Sequence, residues 1–111
     1  MTKVTKDEAI HHSRDGVVAR YYQLPEINGG TTVAYAEFRG EHGQRTIGER
    51  SRIYYILEGS AKFLVNNEEF EVAEGDTVAI PSNGTYNLWP LGEVVKVLLV
   101  MELLDASKLP K

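Results

Sequence analysis

The sequence predicts an all-β domain, a sandwich or barrel of roughly seven or eight short strands with almost no helix. Two kinds of observation lead there. Short runs of β-branched, aromatic and aliphatic residues alternate in places with polar ones, as Glu69, Phe70, Glu71 and Val72 do. These runs are separated by turn residues: Asn28-Gly29-Gly30, Asn66-Asn67, Glu74-Gly75-Asp76 and Ser82-Asn83-Gly84.

Taken in order, Thr5-Lys6-Asp7-Glu8 has the spacing of a capping box, which places one short helical turn over Asp7 to His11. Gly16 precedes a strand at Val17 to Tyr22, and Pro25 with Asn28-Gly29-Gly30 forms the next loop. From Thr31 to Phe38, the residues Thr32, Ala34, Ala36 and Phe38 share one face. The loop Gly40 to Gly48 is rich in glycine but leads into no helix, so it lacks the geometry of a phosphate-binding loop.

Ile53 to Leu57 is nearly continuous in apolar and aromatic residues, which marks a strand covered on both faces. Ala61 to Val65 and Glu68 to Val72 form a hairpin about Asn66-Asn67, two residues that tolerate positive φ, in a register that buries Phe70 and Val72. Val78 and Ile80 follow, closed by Pro81, which cannot donate to a ladder. Tyr86 to Trp89 is a further short strand and Val94 to Leu103 the longest. The latter is apolar on both faces, so a second copy of the chain is expected to cover it as a homodimer. Leu104 to Lys111 reads as a tail.

With 111 residues the chain fits a single domain, 1–111, and 42% hydrophobic against 25% charged residues is a globular balance, not a disordered one. A net charge of −4 gives no basic field for phosphate neutralisation, so nucleic acid is not an expected partner. Cysteine is absent, which removes disulfides and thiolate chemistry and suits a cytoplasmic setting. Met1 to Lys6 leads into Asp7-Glu8 and not into an apolar run, so no secretory leader is expected, and no stretch is long enough to span a bilayer as a helix.

At Tyr54-Tyr55-Ile56-Leu57-Glu58-Gly59 and from Glu74-Gly75-Asp76 through Pro81 the chain resembles the cupin superfamily, whose two motifs bracket a hairpin of this length. The motif region covers residues 40–93. The motifs usually read G-x5-H-x-H-x3-4-E-x6-G and G-x5-P-x-G-x2-H-x3-N. Here Gly59 matches the final glycine of the first, while Gly75 and Pro81 match the glycine and proline of the second. The resemblance implies a small antiparallel jelly-roll barrel. It does not carry the metal ligands over: Arg45 and Ile47 stand at the two histidine positions, Arg52 at the glutamate, Tyr86 at the third histidine and Pro90 at the asparagine. A fixed guanidinium charge opposes a dication, so neither a metal nor another cofactor is expected. A second register, His42-Gly43-Gln44 followed by Glu49, would need a bulge to turn Glu49 inward and would offer a weak donor set.

The resemblance puts Arg52 and Tyr54 inside the barrel. An inward arginine needs an anion, either an internal carboxylate such as Glu49 or Glu37, or a carboxylate or phosphate on a small ligand met by Arg52 with Arg45. Tyr54 and Tyr86 could present phenols to that ligand or simply fill the core. The candidates for proton transfer are His42, Tyr86 and Glu49. His11 and His12 are adjacent, so they point apart and make no chelating pair. Trp89 is expected to pack at a strand end, and the run Glu68, Glu69, Glu71 and Glu74 to solvate an outer face.

The expected function is that of a metal-independent small-molecule-binding protein, whose barrel mouth takes an anionic or sugar-like ligand through Arg45, Arg52, Tyr54 and Tyr86. The alternatives are an isomerase- or epimerase-type enzyme in the same barrel, by analogy with metal-free relatives, and an interaction protein with a filled barrel.

Overall fold

Alternation of inward and outward residues along most strands lets two antiparallel sheets enclose one core. In this computed structural model residues 3–102 are described; the expected strand end at Leu103 and the tail 104–111 lie outside the described residues. The described strands are β1 (Ile10–Arg14), β2 (Val17–Leu24), β3 (Thr31–Phe38), β4 (Arg45–Thr46), β5 (Arg52–Glu58), β6 (Ser60–Val65), β7 (Glu68–Ala73), β8 (Thr77–Ile80), β9 (Thr85–Pro90) and β10 (Val95–Glu102). One sheet runs β1-β2-β3-β10-β5-β8 and the other β4-β9-β6-β7, with every pairing antiparallel. This is the all-β jelly-roll barrel that the motifs imply.

The β6–β7 hairpin turns on Asn66 and Asn67, with φ of 47° and 73°, as a two-residue loop between twisted strands requires. The turn at Gly59 from β5 into β6 takes φ +83°, and a Cβ there would drive into the carbonyl oxygen of Val94. Only glycine fits that crossing of the chain.

Three expectations at the level of elements need correction. The capping box at Thr5 and Glu8 is present, but it caps a single 3₁₀ turn, Lys6–Glu8, and residues 10–14 form strand β1 where the helical turn was expected to continue. Ile10 and His12 have partners on β2, and ladder pairing outweighs the weak helical preference of so short a segment. The loop Gly40 to Gly48 contains the two-residue strand β4. Within one chain, β5 is covered on one face only: Tyr54 and Ile56 are buried, whereas Ile53 and Tyr55 are about half exposed on the outer face beside Val100.

The core is packed unevenly. Toward β5, β6, β9 and β10 the side chains of Ile56, Phe63, Leu88, Val95 and Val97 are wholly buried, with Phe63 stacked on Phe70 at 6.2 Å and meeting Tyr54 edge-on at 5.5 Å. Toward β2 and β3 Ala19 pairs with Ala36 and Tyr21 with Ala34. Three alanines on neighbouring strands leave a floor with no bulk above it, and a cavity of about 250 Å³ opens there.

Candidate functional site

The period of two along each strand decides what faces this cavity. Arg52 and Tyr54 of β5 point inward two residues apart, and Arg45 of β4 lies directly opposite Tyr86 of β9, so the two share a face. Four residues from three parts of the sequence meet in this way. The Tyr54 and Tyr86 hydroxyls are 2.8 Å apart, and Arg52 Nη1 donates to the Tyr86 oxygen at 3.0 Å. Both tyrosines are buried, and the Tyr54 phenol is held well above its ordinary pKa by burial first and then by Tyr86.

Arg52 does not pair with either carboxylate expected of it. Glu37 faces outward, where it accepts from Tyr35 Oη at 2.8 Å and Arg39 Nη1 at 3.1 Å, and Glu49 is exposed. Among the described residues no carboxylate lies within 4.0 Å of Arg14, Arg45 or Arg52, all three of which line the cavity.

His42 completes the polar wall. Its Nδ1 is 2.7 Å from the Gly43 carbonyl oxygen, which can only accept; Nδ1 therefore carries the proton and Nε2 keeps its lone pair. That nitrogen faces the Tyr86 hydroxyl at 3.5 Å, and the ring packs between Phe38 and Tyr86. The pKa of His42 is pushed down to about 4, chiefly by burial, against an upward pull from the Gly43 carbonyl and with lesser downward contributions from Arg14, Arg45 and Arg52. At neutral pH it is an uncharged acceptor. The Tyr86 oxygen accepts from Arg52, shares a hydrogen bond with the Tyr54 hydroxyl in which either can donate, and lies 3.5 Å from the His42 acceptor.

Backbone contacts hold His42 in place. Asn87 accepts from the Gly43 and Leu88 amides and donates to Glu41, while the His42 amide donates to the Leu88 carbonyl at 2.8 Å. From the other sheet Arg14 Nη2 reaches the His42 carbonyl at 2.7 Å, closing the seam beside β1.

Arg45, Arg52, Tyr54, Tyr86 and His42 are thus brought together, and Glu49 is not. Gln44 lies exposed in a separate groove beside Asn66 and Asn67, so the alternative set His42, Gln44 and Glu49 does not converge. Trp89 sits on the outer face with the Lys62 ammonium 5.9 Å from its ring. His11 points outward toward the Lys6 carbonyl at 3.0 Å. Its neighbour His12 points inward to the cavity, as do Tyr21 and Arg14, which sequence reasoning missed. The signal lay in Asp15-Gly16, a two-residue hairpin turn with Gly16 at φ +75°, flanked by the period-two sets Ile10, His12, Arg14 and Val17, Ala19, Tyr21.

These side chains do not fit the divalent metal common in barrels of this kind. Three guanidinium groups stand around His42, and no three histidine, aspartate or glutamate side chains gather anywhere among the described residues.

Residues 39–101 match the family model described as Cupin domain. An uncharacterized protein of Methanocaldococcus jannaschii is 34% identical over 91 residues, 78% of this chain and 73% of its own length. Among solved structures, KdgF from a Halomonas species superposes with a TM-score of 0.77 at 15% identity, over 95% of this chain and 96% of the other. Pac13 of Streptomyces, described as a nucleoside dehydratase, gives 0.78 at 18% identity over 95% and 85%. A predicted oxalate decarboxylase from Thermotoga maritima gives 0.75 at 22% identity over 92% and 99%. At these identities the structural likeness is one of fold.

Proposed function

We propose, from the premise that this chain belongs to the cupin family, that its cavity binds a small organic anion without a metal ion. The observation that carries this reading is the group of three arginines, Arg14, Arg45 and Arg52, lining one cavity with no carboxylate among the described residues to neutralise them. Cations held together around a cavity repel one another at a cost in stability, and a carboxylate or phosphate arriving between the half-buried Arg52 and the exposed Arg45 offsets that cost with charge-assisted hydrogen bonds. The floor of Ala19, Ala34 and Ala36 takes the apolar body of the ligand. Native mass spectrometry of protein purified from its own host, followed by calorimetric titration, tests the reading. A copurifying acid is expected, and Arg52→Met is expected to lose it; a copurifying transition metal with no organic anion overturns the reading.

A second reading, acid–base catalysis on the same anion, is favoured by the uncharged His42, whose Nε2 lone pair meets the Tyr54–Tyr86 chain only through a long 3.5 Å contact. His42 would take a proton from a carbon beside a carbonyl or carboxylate group as the C–H electrons shift into the oxygen, and would return it to another carbon or to a departing hydroxide. Dehydration, the activity named for Pac13, belongs to this class. Deuterium washing from D₂O into 2-oxo acids, seen with wild type and lost in His42→Gln, is the expected outcome. No exchange with any of them removes the catalytic reading and leaves the binding one.

The outer face bearing Ile53, Tyr55 and Val100 suits a second copy of the chain, which supports a homodimer; light scattering on the eluting protein checks it.

A further inference from the structure

The arginines and tyrosines of β4, β5 and β9 account for one wall of the cavity. The β1–β2 hairpin brings to the same cavity polar groups that this role leaves unused. His12 Nε2 is buried and has no hydrogen-bond partner, and the His12 side chain lines the cavity. Tyr21 lines it too, and its hydroxyl makes no hydrogen bond to any described residue. Burial raises the Tyr21 pKa, so the phenol keeps its proton to donate. In the β1–β2 register Ile10 opposes Tyr21 and His12 opposes Ala19, which makes His12 and Tyr21 diagonal neighbours on one face. Side chains of that length reach a common point from such positions. An orphaned buried ring nitrogen costs free energy that a hydrogen-bonding occupant restores.

Strand order fixes where this second pair lies. Between β1 and β5 come β2, β3 and β10, while the sheet edge at β1 meets the wall of His42 through Arg14, so His12 and Tyr21 line the same cavity as Arg45 and Arg52 from different strands. Arg14 is the other β1 side chain lining the cavity, and its Nη2 donates to the His42 carbonyl. A cavity of about 250 Å³ has the liquid volume of roughly eight waters, enough for a molecule of about ten non-hydrogen atoms.

We infer that the ligand is two-ended: an organic anion whose acid group meets Arg45 and Arg52, and whose far end carries a hydroxyl or carbonyl oxygen received between His12 Nε2 and the Tyr21 hydroxyl. This rests on the anion-binding reading above and narrows it to acids with a flat or extended apolar middle and one polar group at the distal end. Simple monoacids fill the same space but leave His12 orphaned.

The test compares acids that differ by one distal hydroxyl, benzoate with 4-hydroxybenzoate and hexanoate with 6-hydroxyhexanoate, by calorimetric titration. Wild type is expected to bind the hydroxylated member of at least one pair about tenfold more tightly. Tyr21→Phe, which keeps the ring and removes only the hydroxyl, and His12→Phe are each expected to bring that ratio to within about twofold. Arg52→Met is expected to weaken both members alike and leave the ratio standing. Equal binding of both members by wild type, or a ratio unchanged in both variants, overturns this inference and leaves the anion reading intact. If wild type binds none of the four acids, the anion reading falls and this inference with it. Because Tyr21→Phe conserves shape, the test does not depend on whether His12→Phe folds.

Discussion

Two parts of this barrel's interior, the packed end around Phe63 and the open end around the alanines of β2 and β3, are built on the same alternation of inward and outward residues and differ in what the inward positions hold. Around Phe63 the inward positions carry large apolar groups that fill the interior, with Ile56, Leu88 and Val97 wholly buried. Around Ala36 they carry alanines on one side and arginine, tyrosine and histidine on the other, and the interior stays open. Close packing of the first kind contributes to stability through area removed from water and dispersion contacts. Unpaired guanidinium groups about a void contribute little or oppose it. On the proposed anion-binding reading, stability and ligand recognition are carried by different parts of one barrel, and substitutions in the two parts are expected to have different consequences.

The largest effect is expected at the packed end, where Phe63→Ala removes a wholly buried ring and costs about 4 kcal/mol of unfolding free energy in a urea titration. If the loss is under about 1 kcal/mol, that end is not the stabilising one. At the open end, His42 links stability to pH. Its folded pKa of about 4 lies below the roughly 6.5 of an unfolded chain. Between those values the unfolded chain binds a proton that the folded one does not. The contribution is therefore full above pH ~6.5 and is lost as the pH falls toward ~4, by on the order of 3 kcal/mol in all. Wild type minus His42→Gln, compared by urea titration at each pH, isolates this slope.

Gly59→Ala is expected to cost about 2 kcal/mol, since it places a Cβ at positive φ against the Val94 carbonyl. The smallest change in stability belongs to Ala36→Leu. Placed on the open floor, the larger side chain has room, so unfolding free energy is expected to move by less than about 1 kcal/mol while binding of the copurifying anion is abolished. A strongly destabilised Ala36→Leu with normal binding would show that the two ends are not separate.

The packed end was largely legible in the sequence, because local patterns specify it. Phe70 and Val72 fall on one side of an alternating strand, and Asn66-Asn67 names its turn; the structure keeps both. The open end was legible only in part. Arg45, Arg52, Tyr54 and Tyr86 were selected by their spacing from Gly59 and Pro81, and they do converge. That Arg52 meets Tyr86 and not Glu37 or Glu49 depends on contacts between strands 34 residues apart, which local periodicity cannot supply. His12 and Tyr21 were overlooked because the capping box at Thr5 drew residues 10 and 11 into a helical turn, hiding the strand that turns His12 inward. The outward side of β5 shows the same limit: Tyr55 and Ile53 read as buried, and within one chain they are not.

Arg52→Met tests the separation of the two roles most directly, with unfolding free energy and binding of the copurifying anion measured on the same preparation. Stability unchanged or raised by up to about 1 kcal/mol, with binding lost, is the result predicted for an arginine kept for a ligand. A loss of more than about 2 kcal/mol with binding intact would make Arg52 a structural residue and contradict the account.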